Sequence, residues 1–297
     1  MDRISHQKKR GFRLFFQIAF VALTNGYWLG FLKGKIYTGP LKAVCVPGLN
    51  CYSCPGALAS CPIGALQSVL ADRNFQFAFY VVGFLMITGA LIGRLVCGWL
   101  CPFGLAQDLL YKIPFVRKIK KVRADRYLKA IKYIMLGLFV IILPMFVLDI
   151  VGQGTPWFCK WICPSGTLMA GWPLVSLNPQ LTGAVGALYA WKNIILVALI
   201  VLSLMIYRPF CRYLCPLGAV YGLIQPVSLY RYRVDTAACT GCGECQKACK
   251  LDIAVCNTPN SPDCIRCGDC IRACPHNALS VEFIKSKYKR AWNERRG

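Results

Sequence analysis

Long apolar segments alternate with polar, cysteine-bearing segments along the chain. Four apolar segments, at about 12–31, 75–96, 131–150 and 193–207, carry few charged residues. A helix needs about 20 such residues to cross the hydrocarbon core of a membrane, and the fourth segment reaches that length only by extension at both ends. The pattern therefore predicts four transmembrane helices in a mostly α membrane protein.

Positive charge is concentrated on one side of these predicted helices. Most of the 35 Lys and Arg residues lie before the first segment, between the second and third, or after the fourth. Because basic segments stay in the cytoplasm, we expect a multi-pass protein of the cell membrane with both termini cytoplasmic, although Lys33 and Lys35 lie on the other side. The first segment has no clear small-residue cleavage site, so we interpret it as a retained helix.

A cysteine motif occurs twice, each time directly after an apolar segment. The copies are RLVCGWLCPFG at 94–104 and RPFCRYLCPLG at 208–218. Cysteines four residues apart lie on one helical face, and the proline suits the first position of a new helix, where a thiol pKa is expected to be lowered. The four thiolates belong to Cys97, Cys101, Cys211 and Cys215. We predict that they hold one [4Fe–4S] cluster at the inner membrane face; zinc and four buried structural cysteines are the alternatives.

Related cysteine motifs occur in the segments predicted to lie on the outer side of the membrane. CPIGAL at 61–66 and CPSGTL at 163–168 share the Cys-Pro-x-Gly pattern of the inner motif. We therefore expect one or more further Fe–S clusters at the outer face, with disulfide bonds as the alternative. The expected ligands are Cys159 and Cys163, with Cys51, Cys54 and Cys61 competing for the remaining positions. Cys45 is the weakest candidate.

The C-terminal region contains the most specific pattern in the chain. Cys-x2-Cys-x2-Cys-x3-Cys occurs twice, and the second copy ends in Cys-Pro, which is the two-cluster bacterial ferredoxin spacing. By the crossover rule for that spacing, each cluster takes three cysteines from one copy and one from the other. The first set is Cys239, Cys242, Cys245 and Cys274, and the second is Cys264, Cys267, Cys270 and Cys249. Cys256 has no place in this scheme, and we interpret it as a packed thiol.

These patterns define a domain organisation. Residues 1–234 are predicted to form a four-helix transmembrane domain, built as two repeated hairpins with re-entrant Cys-Pro segments. Residues 235–283 are predicted to form a small α+β ferredoxin domain with two [4Fe–4S] clusters in the cytoplasm, and 284–297 a basic tail.

The composition indicates that any redox chemistry of the chain depends on its cysteines. Of the 297 residues, 56% are apolar and 16% charged, and the 19 cysteines are accompanied by only two histidines. His6 and His276 both lie outside the apolar segments, so a membrane haem held by two histidines is excluded. The net charge of +23 is explained by orientation in the membrane rather than by nucleic acid. No phosphate-binding loop supports an ATP or NAD site.

These motifs resemble those of the NapH-type membrane ferredoxins, the quinol dehydrogenase subunits of periplasmic nitrate reduction, and the membrane part of the NosR regulators. The resemblance covers nearly the whole chain, and it implies that the inner cysteine pairs and the eight tail cysteines are the redox elements. The outer cysteine motifs are a departure of this sequence from the family's pattern. It suggests that electrons continue to the outer face.

The leading hypothesis is therefore an electron-transfer subunit of an oxidoreductase complex. It would relay electrons between a soluble ferredoxin or flavodoxin and an extracytoplasmic partner or quinone. The alternatives are a quinol dehydrogenase and a NosR-like redox sensor or maturation factor. Clusters at opposite edges of a core about 30 Å thick would be too far apart for one hop. Transfer across the membrane thus requires re-entrant cysteine segments, or a quinone or flavin between the clusters.

Overall fold

The computed structural model describes residues 2–71, 78–114, 117–120, 122, 124–147 and 154–283. The predicted basic tail at 284–297 lies outside the described residues, as do short parts of the second and third predicted membrane helices. The described chain is mostly helical, with one small sheet near its C-terminal end.

Within the residues that the structure describes, the first half of the chain is built from six α-helices. They are α1 (Asp2–Thr24), α2 (Trp28–Lys33), α3 (Pro62–Ala71), α4 (Ala78–Ile92), α5 (Leu95–Trp99) and α6 (Pro102–Lys112). A 3-10 turn at Pro40–Ala43 lies between α2 and α3. Two of these helices begin at a proline that directly follows a cysteine, namely α3 and α6. Proline favours this first helical position because its missing N–H would be unpaired there in any case.

In the described part of the second half, two helices again begin at a proline that follows a cysteine. The helices of this half are α7 (Asp125–Ile134), α8 (Leu143–Phe146), α9 (Pro164–Gly166), α10 (Trp172–Leu177), α11 (Ala187–Met205), α12 (Pro209–Tyr213) and α13 (Pro216–Ile224). Wider π-helical turns occupy Met135–Ile142, Phe158–Ile162 and Thr167–Gly171, and 3-10 turns occupy Pro179–Ala184 and Gln225–Val227. The first π-helical stretch joins α7 to α8 without a break.

Two helical stretches are long and apolar enough to cross a membrane. They are Asp125–Phe146 and Ala187–Met205, with mean hydropathies of 1.9 and 2.0. Gly11–Thr24 and Phe79–Ile92 are apolar but shorter. Within the described residues, length and composition therefore support two of the four predicted membrane helices.

Local chemistry explains why the other two helices end early. The Thr24 hydroxyl donates to the Phe20 carbonyl at 2.8 Å, and the neighbouring Asn25 amide also bonds to the backbone. Such side chains compete with the helical ladder, and α1 ends at Thr24, although the apolar pattern continues to residue 31. After Ile92, Gly93 has a φ of +54°, which is left-handed and stops α4 before the predicted end at 96.

The two halves interlock reciprocally. Helix α4 packs against α13, and α11 packs against α6. Each helix that precedes one copy of the inner motif thus contacts the helix that follows the other copy. Within each half, α1 packs against α5 and α6, as α7 packs against α12 and α13. This is the packing expected of a duplicated unit.

The C-terminal region forms a small α+β unit. Strand β1 (Tyr230–Val234) pairs in antiparallel fashion with β2 (Leu279–Phe283), with Tyr230 opposite Phe283. Two short helices, α14 (Glu244–Ala248) and α15 (Asp269–Ala273), lie between the strands in sequence and pack together. The sheet thus begins five residues before the predicted domain boundary at 235.

Buried charges hold this unit against the helical region. Lys132 donates to the Asp263 carboxylate at 2.5 Å, and Lys129 and Arg94 lie 3.3 and 3.6 Å from it. Burial raises the pKa of Asp263, but the three cations outweigh burial and hold the pKa below its ordinary value. The carboxylate is therefore ionised and bridges the two parts of the molecule.

Replacement of Asp263 by asparagine should loosen this docking. We expect a loss of about 1.5–3 kcal/mol, the usual value of hydrogen bonds to charged groups, because three cations lose their carboxylate. Hydrogen exchange of segment 259–268 measures the docking, and the segment should exchange faster in the variant. Glu244→Gln removes an exposed ion pair to Lys247 and should leave that exchange unchanged.

The lowered pKa also gives this contact a pH dependence. A carboxylate whose folded pKa lies below its unfolded pKa contributes stability that is complete above the unfolded value. That contribution is lost as the pH falls through the folded value. Protection of segment 259–268 should thus decrease in acid in the unchanged protein, with a smaller decrease in Asp263→Asn. Equal acid sensitivity in both proteins would contradict the role of Asp263.

Candidate iron–sulfur sites

The four cysteines of the inner motif lie together between the two halves of the helical region; we call this the inner site. Cys97 lies in α5 and Cys211 in the equivalent helix α12, whereas Cys101 and Cys215 directly precede the prolines that begin α6 and α13. Each is only 5–6% exposed, and Cys215 is within electrostatic range of the other three. The fold therefore brings together all four cysteines that the repeated motif predicts to form one site.

Two buried arginines connect the two copies of the motif. Arg94 donates to the carbonyl oxygen of Cys211 at 3.0 Å, and Arg208, at the same position of the second copy, donates to the carbonyl oxygen of Cys97. Arg208 also donates to both carboxylate oxygens of Asp108, at 2.7 and 2.6 Å. Sequence reasoning gave these arginines no role, although their identical position in both copies was the available signal.

Backbone N–H groups point at the sulfur atoms of the inner site. Gly218 donates to Cys215 at 3.4 Å, and the N–H groups of Leu49 and Gly104 donate to Cys101. Burial nevertheless raises the pKa of the Cys101 thiol to about 11, so the lowered pKa expected from the helix N-terminus is wrong for this thiol. The donors can stabilise anionic sulfur only when a positive metal centre offsets the cost of burial.

Four of the six outer cysteines line one cavity of about 440 Å³, which we call the outer site. They are Cys51, Cys61, Cys159 and Cys163. Lys160 and Lys192 also line the cavity, and Lys192 donates to the carbonyl oxygen of Cys159 at 3.1 Å. The two cations oppose the negative charge that four thiolates would bring.

The other two outer cysteines lie elsewhere. Cys54 is 2% exposed and lies beside Lys42, and the N–H of Ala57 donates to the Cys54 carbonyl oxygen at 3.1 Å. Cys45 is 4% exposed, and its backbone forms an isolated parallel β-bridge with that of Ser60. Neither is among the residues that line the outer cavity. Of the three cysteines that competed for the remaining outer positions, the structure brings Cys51 and Cys61 to the cavity and leaves Cys54 outside it.

One short segment, residues 47–51, joins the inner and outer sites; we call it the bridging segment. A Cβ on Gly48 would lie 3.1 Å from the Cα of Cys101 at the inner site, and the N–H groups of the next two residues, Leu49 and Asn50, face Cys101 and Cys61 of the outer site. The Tyr221 hydroxyl donates to the carbonyl oxygen of Pro47 at 2.9 Å. The two sites therefore do not lie at opposite edges of the helical region, because adjacent peptide groups contact both of them.

The eight tail cysteines line two cavities in the crossover sets that the spacing predicts. One cavity, the first tail site, is lined by Cys239, Cys242, Cys245 and Cys274. The other cavity, the second tail site, is lined by Cys249, Cys264, Cys267 and Cys270. Cys270 is within electrostatic range of the other three members of its set.

Cys256 lies at the first tail site. Its sulfur is 3.2 Å from that of Cys245 and 4.0 Å from that of Cys239. It also lines the same cavity. The spacing gave Cys256 no place among the cysteine sets, whereas the structure packs it beside two members of the first set.

The second tail site packs directly on the inner site. Gly98 lies between the two cysteines of the first motif copy, and a Cβ at this position would overlap the carbonyl oxygen of Ile265, which lies between two cysteines of the tail. Trp99 donates to the carbonyl oxygen of Arg266 at 3.1 Å, and Arg266 donates to that of Ile92 at 3.0 Å. Only glycine permits this close approach of the two backbones.

Models of two domain families match the chain, and both families are described as 4Fe-4S binding domains. The first matches residues 74–123, 133–175 and 189–230, and the second matches 259–280. No solved structure matches the chain. The matched regions contain both copies of the inner motif and the second cysteine run of the tail. The class of protein is therefore an iron–sulfur protein of ferredoxin type.

Three relatives identify the family. The methylamine utilization ferredoxin-type protein MauN of Methylorubrum extorquens is 30% identical over 73% of this chain and 70% of its own length. The ferredoxin-type protein NapH of Haemophilus influenzae is 28% identical over 75% and 67%, and the regulatory protein NosR of Pseudomonas aeruginosa is 28% identical over 52% and 20%. The chain belongs to the NapH/NosR-like family of 4Fe–4S ferredoxin-type proteins, which confirms the resemblance seen in its motifs.

Proposed function

We propose that the chain is a membrane-integral electron-transfer subunit that relays electrons between a soluble cytoplasmic donor and the outer membrane face. The observation that carries this proposal is the bridging segment, whose successive N–H groups at Leu49 and Asn50 contact the inner and outer sites. The contact of Gly98 with Ile265 joins the inner site to the tail in the same way. The four sites thus follow one another from the ferredoxin unit to the outer cavity.

The donor sets suit [4Fe–4S] clusters. Each site offers at least four cysteine thiols, and N–H groups that point at sulfur favour the negative charge of such a cluster. Within the described ranges, no three Cys, His, Asp or Glu side chains converge closely enough to hold a single metal ion. When bound, a [4Fe–4S] cluster accepts and releases single electrons. We assign one cluster to each of the inner, outer, first tail and second tail sites.

The cytoplasmic end suits an acidic soluble partner. Cys242 is exposed at the first tail site, and the exposed Lys247 lies near it. Lys120, in the basic segment after α6, donates to the carbonyl oxygen of Lys247 at 3.1 Å. Basic residues from two parts of the chain therefore surround the exposed end of the relay. A ferredoxin or flavodoxin with an acidic face would be attracted to this surface, and the attraction would weaken at high salt.

Metal analysis of cysteine variants tests the assignment. We expect iron and sulfide for four [4Fe–4S] clusters in the anaerobically purified protein, and for three in the double variant Cys159→Ser and Cys163→Ser. Electron paramagnetic resonance of the reduced proteins should show the loss of one signal. The matched control is Cys54→Ser, because Cys54 is an outer cysteine outside the cavity. Retention of every cluster by the double variant would refute an outer cluster.

A second candidate function is quinol oxidation near the cytoplasmic face, which a separate cavity of about 270 Å³ favours. Arg13, Gln17, Asp108 and Tyr207 line it, and Tyr207 and Lys250 also line the second tail site. The cavity therefore adjoins a cluster site and offers polar partners to the two oxygens of a quinone ring.

Asp108, which lines this cavity together with a second carboxylate, Asp269, is a poor proton acceptor. Burial raises the pKa of Asp108, but Arg208 and Arg13 outweigh burial and lower the pKa to about 2. A proton released by a quinol would thus require another acceptor. Short-chain quinol analogues test this function: if they reduce the clusters, and Tyr207→Phe slows that reduction, the cavity is a quinol site. Lack of reduction by several analogues would leave the relay as the sole function of the two.

A further inference from the structure

A buried glutamine contacts one cysteine of the inner site. Gln107, in α6, is 2% exposed, and its side-chain nitrogen donates to the sulfur of Cys211 at 3.1 Å. The same nitrogen donates to the carbonyl oxygen of Phe103, one turn earlier, at 3.4 Å. Its side-chain oxygen accepts the backbone N–H of Phe210 at 3.2 Å. Every polar atom of the amide therefore has a partner.

A second glutamine makes the same contacts at the outer site. Gln67, in α3, is 0% exposed and donates to the sulfur of Cys159 at 3.2 Å. It also donates to the carbonyl oxygen of Ile63 at 3.3 Å and accepts the N–H of Phe158 at 3.0 Å. The two glutamines thus occupy equivalent positions in two sites that differ in sequence.

The backbone contacts fix the orientation of both amides. The side-chain oxygen must face the N–H of Phe158 or Phe210, because an NH₂ group there would place two donors against each other. The NH₂ group must then face the cysteine sulfur. Each glutamine lies six residues after the cysteine that precedes its helix, Cys61 or Cys101, and bonds to a cysteine from the other half of the chain.

Packing alone does not require an amide at these positions. The equivalent residues in the second half, six after Cys163 and Cys215, are Met169 and Tyr221. The glutamine therefore occurs once per site, always directed at the first cysteine of a Cys-x3-Cys pair. An uncharged donor next to sulfur stabilises negative charge on it.

We propose that Gln107 and Gln67 are positioning residues that set the reduction potentials of the inner and outer sites through one N–H···S hydrogen bond each. The inference rests on the proposed cluster assignment. A reduced cluster carries one more negative charge than an oxidised one, so a donor to its ligand stabilises the reduced form and raises the potential. The two sites are thereby tuned separately, each by its own amide.

Redox titration followed by electron paramagnetic resonance tests this proposal on the full chain. Gln107→Met should shift the inner-site signal to a lower potential and leave the outer-site signal unchanged, and Gln67→Met should do the reverse. Each variant is the control for the other. In deuterated buffer, pulsed measurements should also lose one exchangeable deuteron coupling at the altered site.

A second variant keeps the test decisive if the methionine disturbs packing. Gln107→Glu retains an oxygen for the Phe210 N–H and, when ionised, replaces the donor by a negative charge, so it should lower the inner-site potential further than Gln107→Met does. An unchanged potential in variants that retain the cluster would overturn the proposal, as would loss of the inner cluster from both variants, since the amide would then be structural. By contrast, absence of the inner and outer clusters from the unchanged protein would refute the cluster assignment itself.

Discussion

Replacement of Arg208 by leucine is expected to destabilise the helical region by about 3–5 kcal/mol, the cost of breaking a buried ion pair by removing one partner. The Arg208 side chain is 1% exposed and donates to both oxygens of Asp108 as well as to the carbonyl oxygen of Cys97. Among the described residues, its loss leaves the buried Asp108 carboxylate with Arg13, at 2.5 Å, as the remaining cationic partner. It also removes one of the two reciprocal contacts between the motif copies.

Thermal unfolding in detergent measures this effect, and iron content reports the inner cluster. The unfolding temperature and the iron content should both fall sharply in Arg208→Leu. The matched control is Arg233→Leu, because Arg233 is 49% exposed and its pair with Glu282 lies at the surface. Such a pair contributes about 0–1 kcal/mol. Equal unfolding temperatures for the two variants would show that the Arg208 contacts contribute nothing to stability.

Replacement of Gly98 by valine is expected to separate the ferredoxin unit from the inner site. A side chain at this position overlaps the carbonyl oxygen of Ile265, so one of the two backbones must move. Forcing extra atoms into such a contact costs about 1–3 kcal/mol, which corresponds to about a 5- to 150-fold fall in the docked population. All clusters should remain bound, because the cysteines are unchanged.

The reduction of the inner cluster by the tail, followed by rapid freezing and electron paramagnetic resonance, measures this separation. It should be slow in Gly98→Val and fast in the unchanged protein. Gly83→Val is the matched control, since a Cβ at Gly83 meets nothing within 4 Å. Equal rates in the two variants would mean that electrons do not pass through the Gly98 contact.

The cysteine sets of the tail and the inner site could be predicted because each is assembled from two copies of a recognisable local spacing. The run from Cys239 to Cys249 and the repeated Cys-x3-Cys-Pro motif each place candidate ligands within one or two turns of each other. The choice among the outer cysteines depends instead on tertiary structure. Cys51 and Cys54 are three residues apart, yet only Cys51 reaches the cavity, because the chain turns between them.

Long-range contacts were not predictable in the same way. The bridging segment lies far from α6 in sequence, and nothing in its composition indicates that Leu49 and Asn50 contact two different sites. Gln67 and Gln107 did carry a sequence signal that was overlooked, because each lies six residues after the cysteine of a Cys-Pro-x-Gly motif. The membrane helices were predicted from apolar length, which overlooked the helix ends at Thr24 and Ile92.

Electron transfer across vesicles tests the central claim most directly. The protein is reconstituted with its ferredoxin unit outward, ferricyanide is enclosed inside, and reduced ferredoxin is added outside. The relay predicts that the enclosed ferricyanide is reduced by vesicles containing the unchanged protein or Cys54→Ser, and not by vesicles containing the double variant Cys159→Ser and Cys163→Ser. Equal reduction by the double variant, or no reduction by a protein that holds all four clusters, would contradict the relay.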